Sequence, residues 1–139
     1  MGELVTSSRR NDDPLKLREI LGKASSLASE HALTSVVVGM AGLEGDLIFP
    51  EVVDFFESAM RVDDAVFRMT RERAVLLLAD VGRDRAEEIV RRLMSDFRET
   101  FAPASAPEIR FGFFEVTPGD GALTVKQVLP ALFAPGAAH

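Results

Sequence analysis

The sequence predicts a single domain of the α/β (α+β) class, with a mixed or antiparallel sheet and packed helices. Its 139 residues are the length of one domain, and 47% of them are hydrophobic and 27% charged, as in soluble globular proteins. Short β-branched apolar runs alternate with longer segments whose apolar residues recur every three or four positions. These runs predict strands and helices in alternation around one hydrophobic core.

The composition excludes several kinds of site and partner. The chain has no cysteine, which excludes thiolate catalysis, cysteine-based zinc sites and disulfides. Its net charge of −6 opposes the phosphate contacts that drive nucleic-acid binding. No apolar run approaches the ~20 residues that cross a bilayer, and the first residues lack the apolar stretch of a signal peptide. We therefore expect a cytoplasmic protein with no nucleic-acid partner and no membrane insertion.

The N-terminal part of the chain divides into a tail and a helix that precede the body of the domain. Residues 1–13 are polar and charged, and predict a disordered tail. Residues 14–32 predict an N-terminal helix or linker, because its apolar residues share one face: Leu17, Leu21, Ala24 and Ala28. This thin stripe fits either a coiled-coil stub or a helix packed on the domain, and we favour the second. Residues 33–135 form the body.

The first half of the body reads as a strand, a helix and a hairpin. Thr34–Met40 is a β-branched run short enough for a buried strand. Pro50 suits the first turn of a helix, and apolar residues follow it at helical spacing as far as Met60. The apolar segments Ala65–Met69 and Ala74–Asp80 are separated by only four polar residues, which indicates a hairpin.

The second half of the body reads as a helix, a strand and a last helix. An amphipathic helix begins at Gly82, and Pro103 and Pro107 end it. Apolar and other residues alternate over 109–113, which predicts a fourth strand, and Thr124–Phe133 predicts the last helix. The resulting order, β-α-β-β-α-β-α, is typical of a ferredoxin-like sheet with helices on one face.

Residues 61–79, RVDDAVFRMTRERAVLLLA, resemble the central hairpin of the GGDEF domain, the catalytic domain of bacterial diguanylate cyclases. The family pattern is R-x-x-D, three residues, R-x, the five signature residues and an apolar strand. Arg61, Asp64 and Arg68 occupy the three charged positions without a gap, whereas the signature positions read TRERA, residues 70–74. The resemblance implies a nucleotide-cyclase fold in a shortened, degenerate GGDEF-like domain.

The resemblance, which extends over about residues 34–133, also implies what catalysis requires. The family holds two metal ions with carboxylates at the end of the first strand and in the hairpin turn. Here the first strand runs into Met40-Ala41-Gly42 without an aspartate, and Glu72 lies between Arg71 and Arg73, with which we expect it to form ion pairs. The signature glycines and a guanine-binding insertion are also missing. We expect a protein that is not an enzyme, with no catalytic residue, metal or cofactor.

A second feature of the family is retained. R-x-x-D ending five residues before the signature is the family's product-inhibition site, which binds the guanine and phosphate of cyclic di-GMP. Arg61 and Asp64 keep this spacing, and Arg92 aligns with a further arginine of that site on the next helix. The resemblance thus implies a non-catalytic regulatory domain that binds cyclic di-GMP through Arg61, Asp64 and Arg92.

The residues alone leave other interpretations open. An arginine and an aspartate three residues apart often form a surface ion pair that contributes ~0–1 kcal/mol. The domain would then be a ligand-independent interaction or scaffold module of a bacterial signalling system, with a protein partner or a second copy in a homodimer. Residual nucleotide cyclase activity is a third, less favoured alternative.

Overall fold

The structure is a computed structural model that describes residues 14–101 and 108–133. It contains, in chain order, α1 (Pro14–His31), β1 (Ser35–Ala41), α2 (Phe49–Ser58), β2 (Ala65–Thr70), β3 (Arg73–Leu78), α3 (Arg83–Phe101), β4 (Arg110–Val116) and α4 (Val125–Phe133). The predicted order of strands and helices is confirmed. The predicted tail 1–13 and the prolines at 103 and 107 lie outside the described residues. Within the described residues, no helix has the length and apolar character needed to cross a membrane.

The four strands form one antiparallel sheet in the order β2-β3-β1-β4. β1 is an inner strand: Val38 pairs with Leu76 of β3 on one side and with Phe113 of β4 on the other. All seven residues of β1 are buried, as its continuous apolar sequence requires. This strand order confirms the predicted α/β class with a ferredoxin-like antiparallel sheet.

Helices cover both faces of the sheet, so the prediction of helices on one face is wrong. Val36 and Val38 face the core formed with α2 and α3, whereas Val37 faces a second core formed with α1 and α4. The physical reason lies in β1 and β3. Both strands are apolar at consecutive positions, so each of their two faces must be removed from water.

α1 packs on the sheet along its full apolar stripe, as favoured from the sequence. Its buried side chains belong to the second core: Leu17, Ile20, Leu21, Ala24 and Ala28. The alanines that make the stripe thin also let the helix approach the strands closely, since Ala24 is completely buried.

α4 lies directly over a pair of glycines in the sheet. Gly39 of β1 pairs with Gly112 of β4, and Leu132 of α4 lies over both. A Cβ added at Gly39 would come within 2.7 Å of the Cβ of Leu132, and one at Gly112 would overlap the Leu132 backbone. The absence of side chains at this pair therefore sets how closely α4 packs.

Candidate functional site

A cavity of about 300 Å³ lies where the end of α2, the end of β3 and the first half of α3 meet. Arg61, Asp64 and Arg92, the three residues selected from the sequence, all line it. The remaining lining is apolar except for one arginine: Ala59, Met60, Leu78, Val81, Arg85, Ile89 and Leu93. The fold thus brings together residues that are up to 31 positions apart in the chain.

The side chains of Arg61 and Asp64 form a bidentate ion pair. Arg61 Nε donates to Asp64 Oδ2 and Arg61 Nη2 donates to Asp64 Oδ1, each over 3.2 Å. The backbone closes the same turn, because Arg61 N donates to Asp64 Oδ2 over 2.9 Å and Asp64 N donates to Arg61 O over 3.0 Å. The bond to Asp64 raises the pKa of Arg61 above its ordinary value, so the guanidinium keeps its charge at any working pH.

Asp64 also fastens this turn to the end of β3. Its Oδ1 accepts a hydrogen bond from Ala79 N over 2.9 Å, while Arg61 Nη2 donates to the carbonyl oxygen of Ala79. The Asp64 side chain is only 3% exposed, whereas that of Arg61 is 55% exposed. Arg61, Asp64 and the backbone of Ala79 thus form a clasp. Asp64 is its buried member, and Arg61 is the member that faces the cavity and water.

α3 contributes two further arginines to the cavity, Arg85 and Arg92. They are seven residues apart and therefore lie on the same side of the helix, two turns from each other. Arg85 Nη1 donates to Glu88 Oε1 over 2.7 Å, and this bond lowers the pKa of Glu88. Arg92 is exposed and has no ion pair within the described part of the chain. The cavity thus collects three guanidinium groups and, among its lining residues, one carboxylate.

The hairpin turn between β2 and β3 is tied to the loop that follows β1. Gly42 N donates to the carbonyl oxygen of Glu72 over 2.8 Å, and Gly45 N donates to Glu72 Oε2 over 3.3 Å. The expected ion pairs of Glu72 with Arg71 and Arg73 are not present among the described contacts, and that prediction is wrong. The reason is tertiary: the loop brings the Gly45 N–H to the carboxylate, while the Arg73 guanidinium lies 4.9 Å from the centre of the Phe133 ring.

Arg68, the third charged position of the hairpin pattern, lies outside the cavity lining. Its Nη2 contacts Asp54 Oδ1 over 2.5 Å and Glu57 Oε1 over 2.9 Å. These ion pairs join β2 to α2, so Arg68 has a structural contact in this fold.

Residues 42–129 match the sequence model of the family described as "Diguanylate cyclase, GGDEF domain". The chain belongs to the GGDEF family. The matched range includes α2, the hairpin, α3, β4 and the whole lining of the cavity. A comparison with curated proteins found no match.

Solved structures of GGDEF domains and related proteins share this fold. PelD from Pseudomonas aeruginosa PAO1 is 19% identical with a TM-score of 0.64, over 83% of this chain and 42% of that one. A DGC protein from Thermotoga maritima is 16% identical with a TM-score of 0.64, over 85% and 92% of the two chains. The GGDEF domain of DgcB from Caulobacter crescentus, solved in complex with c-di-GMP, is 14% identical with a TM-score of 0.60, over 76% and 70%. The present chain thus spans less than half of the PelD structure.

Sequence reasoning missed Arg85 as a cavity residue of this GGDEF domain. Only its spacing of seven residues from Arg92 could have pointed to it, since that spacing repeats one face of a helix. The burial of Asp64 was not predictable from local sequence, because its second partner residue, Ala79, is 15 positions away after the end of β3.

Proposed function

We propose that this GGDEF domain is a non-catalytic regulatory domain that binds cyclic di-GMP in the cavity lined by Arg61, Asp64 and Arg92. The observation that carries the proposal is that all three residues retained from the family's R-x-x-D site line one cavity. A GGDEF domain of the same fold, that of DgcB, has been solved in complex with c-di-GMP, which supports the choice of ligand.

The chemistry of the cavity suits this ligand. Guanine presents O6 and N7 as paired acceptors for a guanidinium, and phosphate oxygens accept from a second one. Arg61 uses Nε and both N–H groups of Nη2 within the clasp, so only Nη1 is left to donate, and it suits a phosphate oxygen. Arg92, which has no ion pair with a described residue, offers a whole guanidinium on the same cavity for the guanine edge. Ile89 and Leu93 supply an apolar wall for the base.

Asp64 orients Arg61 in the conformation described. Its oxygens accept four hydrogen bonds, three from Arg61 and one from Ala79. The clasp fixes the Arg61 side chain before the ligand arrives, and that reduces the entropy lost on binding. A direct bond from Asp64 to guanine N1 and N2 would require Arg61 to leave the carboxylate.

The size of the cavity limits how the ligand is held. Small-molecule sites measure ~300–1,000 Å³, and this cavity of about 300 Å³ is at the lower end. It has room for one guanine and its phosphate, so the second half of the dinucleotide would lie outside the cavity over the exposed arginines.

The few possible metal ligands around the hairpin turn support the absence of catalysis. Two-metal phosphoryl-transfer sites need several carboxylates at one point. The end of β1 supplies Met40, Ala41 and Gly42, and Glu72 accepts a hydrogen bond from Gly45 N. In the described part of the chain, no three Asp, Glu or His side chains are grouped to hold a metal ion. These residues do not fit the family's two metal ions.

Calorimetry of the full chain with cyclic di-GMP tests the proposal. We expect binding that Arg61→Ala and Arg92→Ala each weaken at least tenfold, about 1.4 kcal/mol, and that Arg91→Ala leaves unchanged. Arg91 is the matched control, since it is an exposed arginine of α3 outside the cavity. Absence of heat at high micromolar ligand would refute the receptor function, and turnover of GTP with Mg²⁺ would refute the non-catalytic one.

A protein-interaction role is the second candidate, and exposed apolar side chains in the loop after β1 favour it. Leu43 is 56% exposed and Leu47 is 84% exposed, beside the hairpin turn that Gly42 and Gly45 contact. Such side chains suit a protein partner or a homodimer contact. If the chain self-associates, Leu47→Ser should shift its sedimentation toward the monomer, and Val62→Ser is the control because Val62 is 94% exposed elsewhere.

A further inference from the structure

A second, larger cavity lies on the opposite face of the sheet from the Arg61 cavity. It measures about 650 Å³ and lies between α1 and the segment that enters α4. That volume is well within the ~300–1,000 Å³ of small-molecule sites. The residues of the Arg61 cavity have no part in it.

The lining combines an apolar interior with basic side chains. Leu21 is 2% exposed and contributes to the apolar wall, together with the half-buried Leu123 and Val125. Arg18 and Lys126 are exposed at the cavity and form no ion pair with any described residue. No aspartate or glutamate lines it. On a protein of net charge −6, this is a local positive site.

A buried hydroxyl in the same cavity lacks a partner. Ser25 lines the cavity, and its Oγ is buried with no hydrogen bond to any described residue. A polar group left in this state costs ~1–3 kcal/mol, and an acceptor on a bound molecule would remove that cost once the hydroxyl turns toward the cavity. Gly22, which also lines the cavity, has nothing within 4 Å of the position its Cβ would take, so the space at Gly22 is open.

We propose that this cavity binds a small amphiphilic anion, with a carboxylate head at Arg18 and Lys126 and a hydrocarbon chain against Leu21, Leu123 and Val125. The apolar wall favours an amphiphile over a simple inorganic anion, and the two cations favour an anionic amphiphile over a neutral or basic one. The site is independent of the proposed cyclic di-GMP cavity.

Sodium decanoate is the probe, titrated into the full chain by calorimetry, with decylamine as the probe of equal length and opposite charge. We expect saturable binding of decanoate with a Kd below ~1 mM and none of decylamine. Lys126→Gln and Arg18→Gln should each weaken decanoate binding about two- to fivefold, while Lys23→Gln, on α1 but outside the lining, should not. Equal binding of the two probes, or no binding of decanoate, overturns the proposal.

Gly22→Leu is a further variant, because Gly22 lines the cavity and a Cβ at this position meets no atom within 4 Å. Leucine is also a better helix former than glycine. The variant should therefore remain folded, with a Tm at or above that of the parent, and lose decanoate binding. Undiminished binding in a folded Gly22→Leu variant would contradict the site. Arg61→Ala should leave decanoate binding unchanged, which separates this test from that of the first cavity.

Discussion

Asp64→Ala should destabilise the domain far more than Arg61→Ala, although the two side chains share one ion pair. Asp64 is buried and holds Arg61 N and Ala79 N, whereas the Arg61 guanidinium is half exposed. Removal of the carboxylate leaves the buried Ala79 N–H without an acceptor, at ~1–3 kcal/mol, and opens the turn, at about 1 kcal/mol more. The exposed ion pair adds ~0–1 kcal/mol. We expect a total loss of about 3 kcal/mol.

Arg61→Ala removes only the outer member of the clasp. Asp64 keeps its two backbone donors, and water from the adjoining cavity takes the place of the guanidinium. The expected loss is about 1 kcal/mol, one third of that for Asp64→Ala. Arg91→Ala, an exposed arginine of α3, should change stability by less than ~0.5 kcal/mol.

Urea unfolding followed by circular dichroism measures this difference. With a slope of ~2 kcal/mol per molar urea, the midpoint should fall by about 1.5 M for Asp64→Ala and 0.5 M for Arg61→Ala. Equal losses for the two variants, or a larger loss for Arg61→Ala, would show that Asp64 does not hold the β3 end. The clasp would then be an ordinary surface ion pair.

Three further predictions follow from contacts elsewhere in the domain. Gly112→Ala should lower the free energy of unfolding by ~2–3 kcal/mol, because its methyl group meets the backbone of Leu132. Thermal unfolding measures this loss. The control, Gly119→Ala, places its methyl group in open space and should match the parent. Glu88 has a lowered pKa, so its bond to Arg85 is intact above the ordinary pKa of 4.5 and is lost as the pH falls through the lowered value. Glu88→Gln should free Arg85 and tighten cyclic di-GMP binding about two- to fivefold; calorimetry that finds weaker binding would contradict a cationic role for Arg85. Arg68→Ala should lower the free energy of unfolding by about 1 kcal/mol at low salt, since Arg68 contacts both Asp54 and Glu57. This loss should shrink in 1 M salt, because screening weakens the ion pairs.

Local patterns in the sequence predicted the elements well and their tertiary roles less well. The hairpin was evident from two apolar segments around four polar residues, and β2 and β3 are present there. The faces of the sheet were not assigned correctly. Consecutive apolar residues such as Val36, Val37 and Val38 have no period that assigns a face, although their continuity itself indicated burial on both sides.

In the candidate site, too, local contacts were predicted from the sequence and tertiary contacts were not. Arg61 and Asp64 are three residues apart, so their pairing is local, and their spacing to the hairpin identified them. The burial of Asp64 depends on Ala79, and the position of Arg85 depends on how α3 rotates against the end of β3. The spacing to Arg92 gives the helix face of Arg85, but it does not show what that face contacts, and no local spacing shows that Asp64 is buried. The contact of Glu72 with Gly45 is likewise set by how a distant loop crosses the turn.

The strand order has a consequence for how the chain folds. β2 and β3 are neighbours in the sequence and in the sheet, whereas β1 pairs with β3 and β4, as Val38 with Leu76 and Phe113 shows. Closing long loops is slower than closing short ones, so we expect the hairpin to form first and the β1–β4 pairing last. Pulsed hydrogen exchange should find amide protection in β2 and β3 before β4, and the reverse order would contradict this pathway. β1, the first of the four described strands along the chain, would then be the last to gain both its neighbours.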